Sequence, residues 1–181
     1  MYGTAFSIRA GILIQMKHRI TFILTGGTID KEYDALDKAF TIGTGAVNRI
    51  LGYVKPNFDA TIVPVVQKVS VNILPEEKEM IRKACADAID DKIVVTYGTD
   101  AMSEIGEVLK DIPNKTIVIT GALKSQLIKD TDAEFNLGFA VGAVQIMSVG
   151  VYVAMSGRVY DWDKCQKDMV TGQFVEIEQP K

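Results

Sequence analysis

Histidine is almost missing from these 181 residues: His18 is the only one, and there are just two cysteines, Cys85 and Cys165. A lone histidine excludes a His-x-x-x-His zinc site and leaves no imidazole for a Ser-His-Asp relay. Any nucleophile here has to be activated by lysine, tyrosine or a carboxylate, and neither a metal nor a cofactor is expected. His18 stands between Lys17 and Arg19 ahead of an apolar run and reads as a surface residue. Two distant cysteines form neither a disulfide framework nor a Cys-x-x-Cys metal pair, which fits a reducing, cytoplasmic setting. Cys85 recurs with Ile81, Ala84, Ala88 and Ile89 on one helical face and is expected in the core, whereas Cys165, in a polar stretch, is left open.

Long hydrophobic runs are also lacking. Phe139 to Met147 and Val149 to Met155 are interrupted by Gly, Gln or Ser and are too short to cross about 30 Å of hydrocarbon, so no membrane partner is expected. There is no basic face: 20 Lys and Arg stand against 23 Asp and Glu, for a net charge of -3. That balance argues against nucleic acid as the partner and for a small polar ligand. Residues 1–15 carry one apolar patch, Ala10 to Ile14, behind a single Arg9 and without a small-residue cleavage site. They are expected to be a loosely ordered N-terminal extension rather than a signal peptide, with the folded domain running over 16–181.

What remains is the composition of an ordinary globular domain, 48% hydrophobic and 24% charged. A chain of this length buries about 70% of its unfolded surface as one unit. Continuous β-branched runs at Ile20 to Leu24, Thr61 to Val66, Lys92 to Thr96, Thr116 to Thr120 and Val149 to Met155 predict strands covered on both faces. Helical periodicity lies between them, at Ala46 to Tyr53, Pro75 to Ile89, Ala101 to Lys110 and Ala133 to Met147. Such alternation implies an α/β fold, a doubly wound, mostly parallel sheet in a single three-layer domain. Chemistry is then sought in the loops at the carboxyl ends of the strands. From Ser156 onward the pattern breaks into an irregular segment or hairpin.

Three of those loops hold polar residues of interest. The first strand runs into Thr25-Gly26-Gly27-Thr28-Ile29-Asp30, where paired glycines permit a sharp turn and close approach to a ligand. No phosphate-loop pattern is present, so a tight turn and a catalytic Thr28 both stay open. The third strand ends in Thr96-Tyr97-Gly98-Thr99-Asp100, where Thr99 and Asp100 suit a helix cap as well as they suit a grip on a ligand ammonium. Ser70 and Asn72 follow the second strand, Ser70 as a ligand contact by position and Asn72 as a possible cap. Lys164 and Lys167 are by composition surface charges, but a lysine sequestered beside Asp100 can take up a proton from a neighbouring hydroxyl.

Taken together, Thr25-Gly-Gly-Thr-Ile29, Val94-Val-Thr-Tyr-Gly-Thr-Asp-Ala-Met-Ser-Glu104, Ile119-Thr-Gly-Ala122 and Phe135-Asn-Leu137 resemble the N-terminal domain of the bacterial-type L-asparaginases and glutaminases, over about Lys17 to Asp168. The resemblance implies an amidohydrolase that releases ammonia from L-asparagine, L-glutamine or a related small amide. By position, Thr28 corresponds to the nucleophile, Thr99 and Asp100 to the second threonine and the carboxylate that binds the substrate's amino group, and Lys167 to the lysine working with them, with Lys164 as the fallback. Ser70 corresponds to the serine that holds the substrate carboxylate, and the Gly98 and Thr99 backbone to the neighbourhood of the oxyanion. A homo-oligomer of at least two copies is also implied. Two departures stand out. Phe40 falls where the family usually has a tyrosine near the nucleophile, leaving Tyr33 as its substitute, and the family's C-terminal domain has no counterpart within these residues. A binding module that has lost turnover, or one subunit of a larger amidotransferase, are the competing expectations.

Overall fold

The computed structural model of the chain describes residues 18–36 and 38–177. The extension expected over 1–15 lies outside the described residues. The elements run β1 (Arg19–Gly26), a hairpin of β2 (Lys31–Asp34) and β3 (Ala39–Ile42), α1 (Ala46–Val54), β4 (Asp59–Lys68), α2 (Pro75–Asp87), β5 (Lys92–Thr96), α3 (Met102–Leu109), β6 (Thr116–Thr120), α4 (Ala133–Ile146) and β7 (Gly150–Met155). After β7 the chain forms β8 (Arg158–Asp161), then β9 (Cys165–Lys167) and β10 (Phe174–Glu176). Single 3-10 turns follow β1, at Thr28–Asp30, and β4, at Ser70–Asn72.

The main sheet has the order β4-β1-β5-β6-β7-β8, with the first five strands parallel and β8 antiparallel to β7. This is the doubly wound architecture that the alternating pattern predicts. One face carries α2 and α3, packed through Ile81, Cys85, Met102, Ile105 and Leu109 onto Ile23, Val95, Ile117, Ile119 and Val153. The other carries α1 and α4, packed through Val47, Ile50, Leu137, Ala140 and Val144 onto Ile20, Phe22, Leu24, Val94 and Val118. Successive residues of β1 and β5 thus feed opposite layers, which is why these strands read as unbroken apolar runs.

Several sequence expectations are corrected. The strand over Thr61 to Val66 is an edge strand paired to β1 alone, with only Val66 fully buried, so Pro64 can sit in it without costing a ladder bond. The helix over Pro75 to Ile89 stops at Asp87, because Ala88 turns to extended backbone. Ile89 is 89% exposed and leaves the Ile81 and Cys85 face. Two open points are resolved: of the irregular segment or hairpin expected after Ser156 the hairpin is found, as β7–β8 and again as β9–β10, and Cys165 is a core residue there. Burial pushes the Cys85 thiol up to about 12 and that of Cys165 up to about 11, so neither is a thiolate at neutral pH.

The order β4-β1-β5 places the strand that follows β1 on one side and the next on the other. Loops leaving β1 and β5 therefore part in opposite directions and open a crevice at their carboxyl ends, where doubly wound sheets bind ligands.

Candidate functional site

At that crevice the two threonine-bearing loops meet backbone to backbone. Gly26 and Gly27 have φ of 89° and 83°, a region costly to residues with a Cβ. A Cβ on Gly27 would lie 3.0 Å from the Gly98 nitrogen, and one on Gly26 would meet the Lys68 carbonyl at 2.8 Å. The glycines let the β1 loop pass between β4 and β5. Its anchors are backbone-directed: Gly27 N–H donates to the Lys68 carbonyl at 3.0 Å and the buried Thr25 hydroxyl to the Thr96 carbonyl at 2.6 Å. From the loop after β6, Gln126 N–H donates to the Ile29 carbonyl at 3.1 Å and the Ser125 hydroxyl to the Lys31 carbonyl. Thr28 is half-buried at the start of its 3-10 turn, and its hydroxyl has no hydrogen-bond partner among the described residues.

The β5 loop is wired through side chains. Lys167 Nζ donates to Asp100 Oδ1 at 2.7 Å and to Thr99 Oγ1 at 3.1 Å. The lysine side chain is 17% exposed and that of Asp100 46%, which places the pair at the mouth of a cavity, screened less by solvent than a fully exposed pair. Neither Thr99 nor Asp100 caps α3: the helix starts at Met102 after Ala101, without a side-chain cap. Asn72 likewise does not cap α2, whose first turn is closed by Glu77 accepting from Leu74 N–H at 2.9 Å. With the cap role gone, Thr99 and Asp100 are held by Lys167 instead. That lysine is delivered by the β9–β10 hairpin, clamped where Tyr160 O–H donates to the Phe174 carbonyl at 3.0 Å and Cys165 enters the core. Lys164 points elsewhere, into an exposed pair with Asp161 at 2.6 Å.

Thr28, Ser70, Gly98, Thr99 and Asp100 line one cavity of about 220 Å³, together with Gly27, Lys31, Val69 and Val71. Ser70 is 5% exposed, and its Oγ lies where a Cβ on Gly98 would be, 2.1 Å from that ideal position. Lys167 lines an adjoining cavity of about 480 Å³ that shares Thr99 and Asp100. Tyr33 and Phe40 are a directly opposed pair on the β2–β3 hairpin, edge to face at 5.6 Å between ring centres. Both are exposed and line a third cavity, with Leu127 and Ile128, rather than the one around Thr28.

Sequence reasoning misses Lys31, which lines the Thr28 cavity, and Asp30 behind it. Asp30 is fully buried; Oδ1 accepts Ala46 N–H at 2.9 Å and its carbonyl accepts Gly43 N–H at 2.8 Å, so it closes the base of the hairpin. Oδ2 has no hydrogen-bond partner, and burial pushes the carboxyl up to about 6 against the partial counterweight of the Ala46 N–H and Arg49. A usable signal for both is in the motif itself, since they continue the Thr28 turn.

The family profile described as "Asparaginase, N-terminal" matches residues 19–177. The chain belongs to the asparaginase family. Among the curated relatives of this family member is a glutamyl-tRNA(Gln) amidotransferase subunit from Methanococcus vannielii, 29% identical over 157 residues, with 78% of this chain and 35% of that protein covered. The chain thus spans about a third of the length of such relatives. Among solved structures, the thermostable L-asparaginase from Thermococcus kodakarensis superposes with a TM-score of 0.78 at 23% identity, covering 90% of this chain and 52% of that one. A probable cytoplasmic L-asparaginase from Campylobacter jejuni superposes with a TM-score of 0.69 at 25% identity, covering 83% and 50%. Among the described residues, no helix is long and apolar enough to cross a membrane and no group of three or more His, Cys, Asp or Glu is placed to hold a metal ion.

Proposed function

We propose that this asparaginase-family domain is an amidohydrolase that uses Thr28 as nucleophile on the side-chain amide of L-asparagine, L-glutamine or a related small amide. The observation that carries the reading is the unpartnered Thr28 hydroxyl sharing one cavity with Thr99 and Asp100, which are joined to the sequestered Lys167. Thr28 Oγ attacks the amide carbon, the C–N bond breaks, and the hydroxyl proton leaves with nitrogen as ammonia, giving an ester on Thr28. Water then adds to the ester carbon, and the Thr28–acyl bond breaks to release the acid and restore the hydroxyl. Thr99, Asp100 and Lys167 serve as the proton relay, Lys167 exchanging a proton with the Thr99 hydroxyl at 3.1 Å while Asp100 stabilises its charged form. Ser70 contributes a hydroxyl to the substrate carboxylate, and the tight Gly98 turn offers backbone N–H groups near the developing oxyanion.

Ammonia release from a panel of amides, measured for the native protein and Thr28→Ala, tests this. Turnover by the native protein that disappears in the variant is expected. Equal rates in the two, or no turnover of any amide, would remove the assignment.

The relatives named as amidotransferase subunits favour a second reading, in which this domain works within a larger amidotransferase. A purified homo-oligomer active on free amides would make a foreign partner unnecessary. Activity that appears only when cell extract is restored would support one.

A further inference from the structure

Two ionisable residues line the roughly 220 Å³ cavity around Thr28, Asp100 and Lys31, the latter shared with the larger cavity beside the β2–β3 hairpin. They are not equally free. Asp100 already accepts from Lys167 at 2.7 Å, whereas the Lys31 ammonium has no ion-pair or hydrogen-bond partner among the described residues. Because Asp100 is engaged by Lys167, Lys31 is the charged group of this lining left without a counter-ion among the described residues. The nearby Lys68 does not alter this, because Glu77 pairs with it at 2.7 Å. Other polar groups there point the same way: the buried Ser70 hydroxyl donates to no acceptor among the described residues and is available beside the Gly98 turn. An unpaired cation and an uncommitted hydroxyl in one small cavity are the means of binding a carboxylate.

Lys31 is also fixed in place for such a role. It is the first residue of β2, paired with Ile42, and its carbonyl accepts the Ser125 hydroxyl, so its backbone is tied on both sides three residues after Thr28. Resting on the amidohydrolase reading for its chemistry, we propose that Lys31 is a specificity-determining residue that reads the carboxylate of the ligand, and that the site selects amides by their carboxylate rather than by their ammonium. The substrate class is then a carboxylate-bearing side-chain amide, with asparagine and an amide lacking the α-amino group, such as succinamate, both accepted. β-Alaninamide, with an ammonium and no carboxylate, is discriminated against.

The test has a catalytic arm and a binding arm. Steady-state kinetics on asparagine, succinamate and β-alaninamide give the preference ratio in kcat/KM. The expected ratio of succinamate to β-alaninamide is at least about tenfold in the native protein, collapsing toward one in Lys31→Met through KM and partly restored in Lys31→Arg. Calorimetry with L-aspartate, succinate and β-alanine reads the same preference without turnover. Succinate binding that weakens at least about tenfold in Lys31→Met, with an unchanged unfolding midpoint, supports the proposal even if no amide is hydrolysed, and only the amidohydrolase reading then falls. Preference for β-alanine over succinate, absence of binding by all three, or affinities that Lys31→Met leaves unchanged would overturn it.

Discussion

The two threonine loops occupy mirror positions at the ends of neighbouring strands, yet they are held in opposite ways. The Thr99 loop is fixed by side chains: a lysine from the far end of the domain reaches both its hydroxyl and its carboxylate, and a core-anchored hairpin carries that lysine. The Thr28 loop is fixed by hydrogen bonds in which at least one partner is a backbone group and by two positive-φ glycines, and it opens into an exposed hairpin where Tyr33 packs on Phe40. A relay that must keep distances within tenths of an ångström gains from side-chain wiring. With Thr28 as the proposed nucleophile, admitting and releasing substrate gains from a loop that ends in an exposed hairpin. The difference predicts which substitutions stop chemistry and which only loosen it.

The largest effect is expected on the wired side. Lys167→Met removes the proposed proton carrier and leaves Asp100 without its partner, and on that reading kcat should fall at least about 10³-fold, roughly 4 kcal/mol. Single-turnover kinetics with a thermal unfolding scan checks it. A variant that keeps a tenth of native activity would mean that Lys167 is only a structural clamp.

Next comes the contact between the two sides. Gly98→Ala would place a methyl 2.1 Å from Ser70 Oγ, and the strand ends leave it nowhere to go. Pushing Ser70 aside should cost about a hundredfold in kcat/KM, roughly 3 kcal/mol, mostly through KM. An unaltered KM would remove Ser70 from carboxylate binding.

On the backbone-held side, Asp30 gives a pH signature. Its folded carboxyl sits at about 6 against an ordinary 3.8, so the fold binds that proton more tightly than the unfolded chain does. Below about pH 4 both states are protonated and this contribution is at its most favourable. As pH rises through 6 the unfolded chain ionises first, and stability falls by roughly 3 kcal/mol before levelling off above that pH. Asp30→Asn keeps an oxygen for Ala46 N–H and removes the titration. Urea unfolding from pH 4 to 7 should show the native protein losing stability relative to this variant across that window, and a constant difference would contradict the assignment.

Most of this architecture is legible in the sequence, and the parts that are not share a cause. Strands β5 and β6 match their expected bounds because the β-branched runs Ile93 to Thr96 and Thr116 to Thr120 break off just before Gly98 and at Gly121. Ile89 departs from expectation because helical periodicity continues past Asp87 while the chain must turn so that Asp90 can meet Arg19, 2.9 Å away. A cap role for Thr99 and Asp100 follows from local pattern, and a residue 67 positions after Asp100 removes it. Nothing local separates Lys164 from Lys167 either: Lys164 stands in the turn before β9 and pairs with Asp161, whereas Lys167 ends β9 and reaches Thr99 and Asp100. Lys31 and Ser125 are 94 positions apart in sequence, and no pattern of neighbours encodes their contact.

The smallest effect is expected at the hairpin, where it decides how far the Thr28 side moves. Tyr33 is 57% exposed and lines the neighbouring cavity, so in this arrangement its hydroxyl belongs to a different space from that of Thr28. If the hairpin closes over substrate, Tyr33 lies five residues from Thr28 and carries the hydroxyl that Phe40 lacks. Tyr33→Phe should then lower kcat about tenfold, roughly 1.4 kcal/mol, with KM little changed, because the ring still packs on Phe40. Because Phe40 faces Tyr33 directly across the hairpin, adding Phe40→Tyr to Tyr33→Phe returns a hydroxyl to the same pair and should recover part of the loss. An unchanged kcat in Tyr33→Phe would mean that the hairpin does not bring this hydroxyl to the reaction, and that the proton for the leaving nitrogen comes from the wired loop alone.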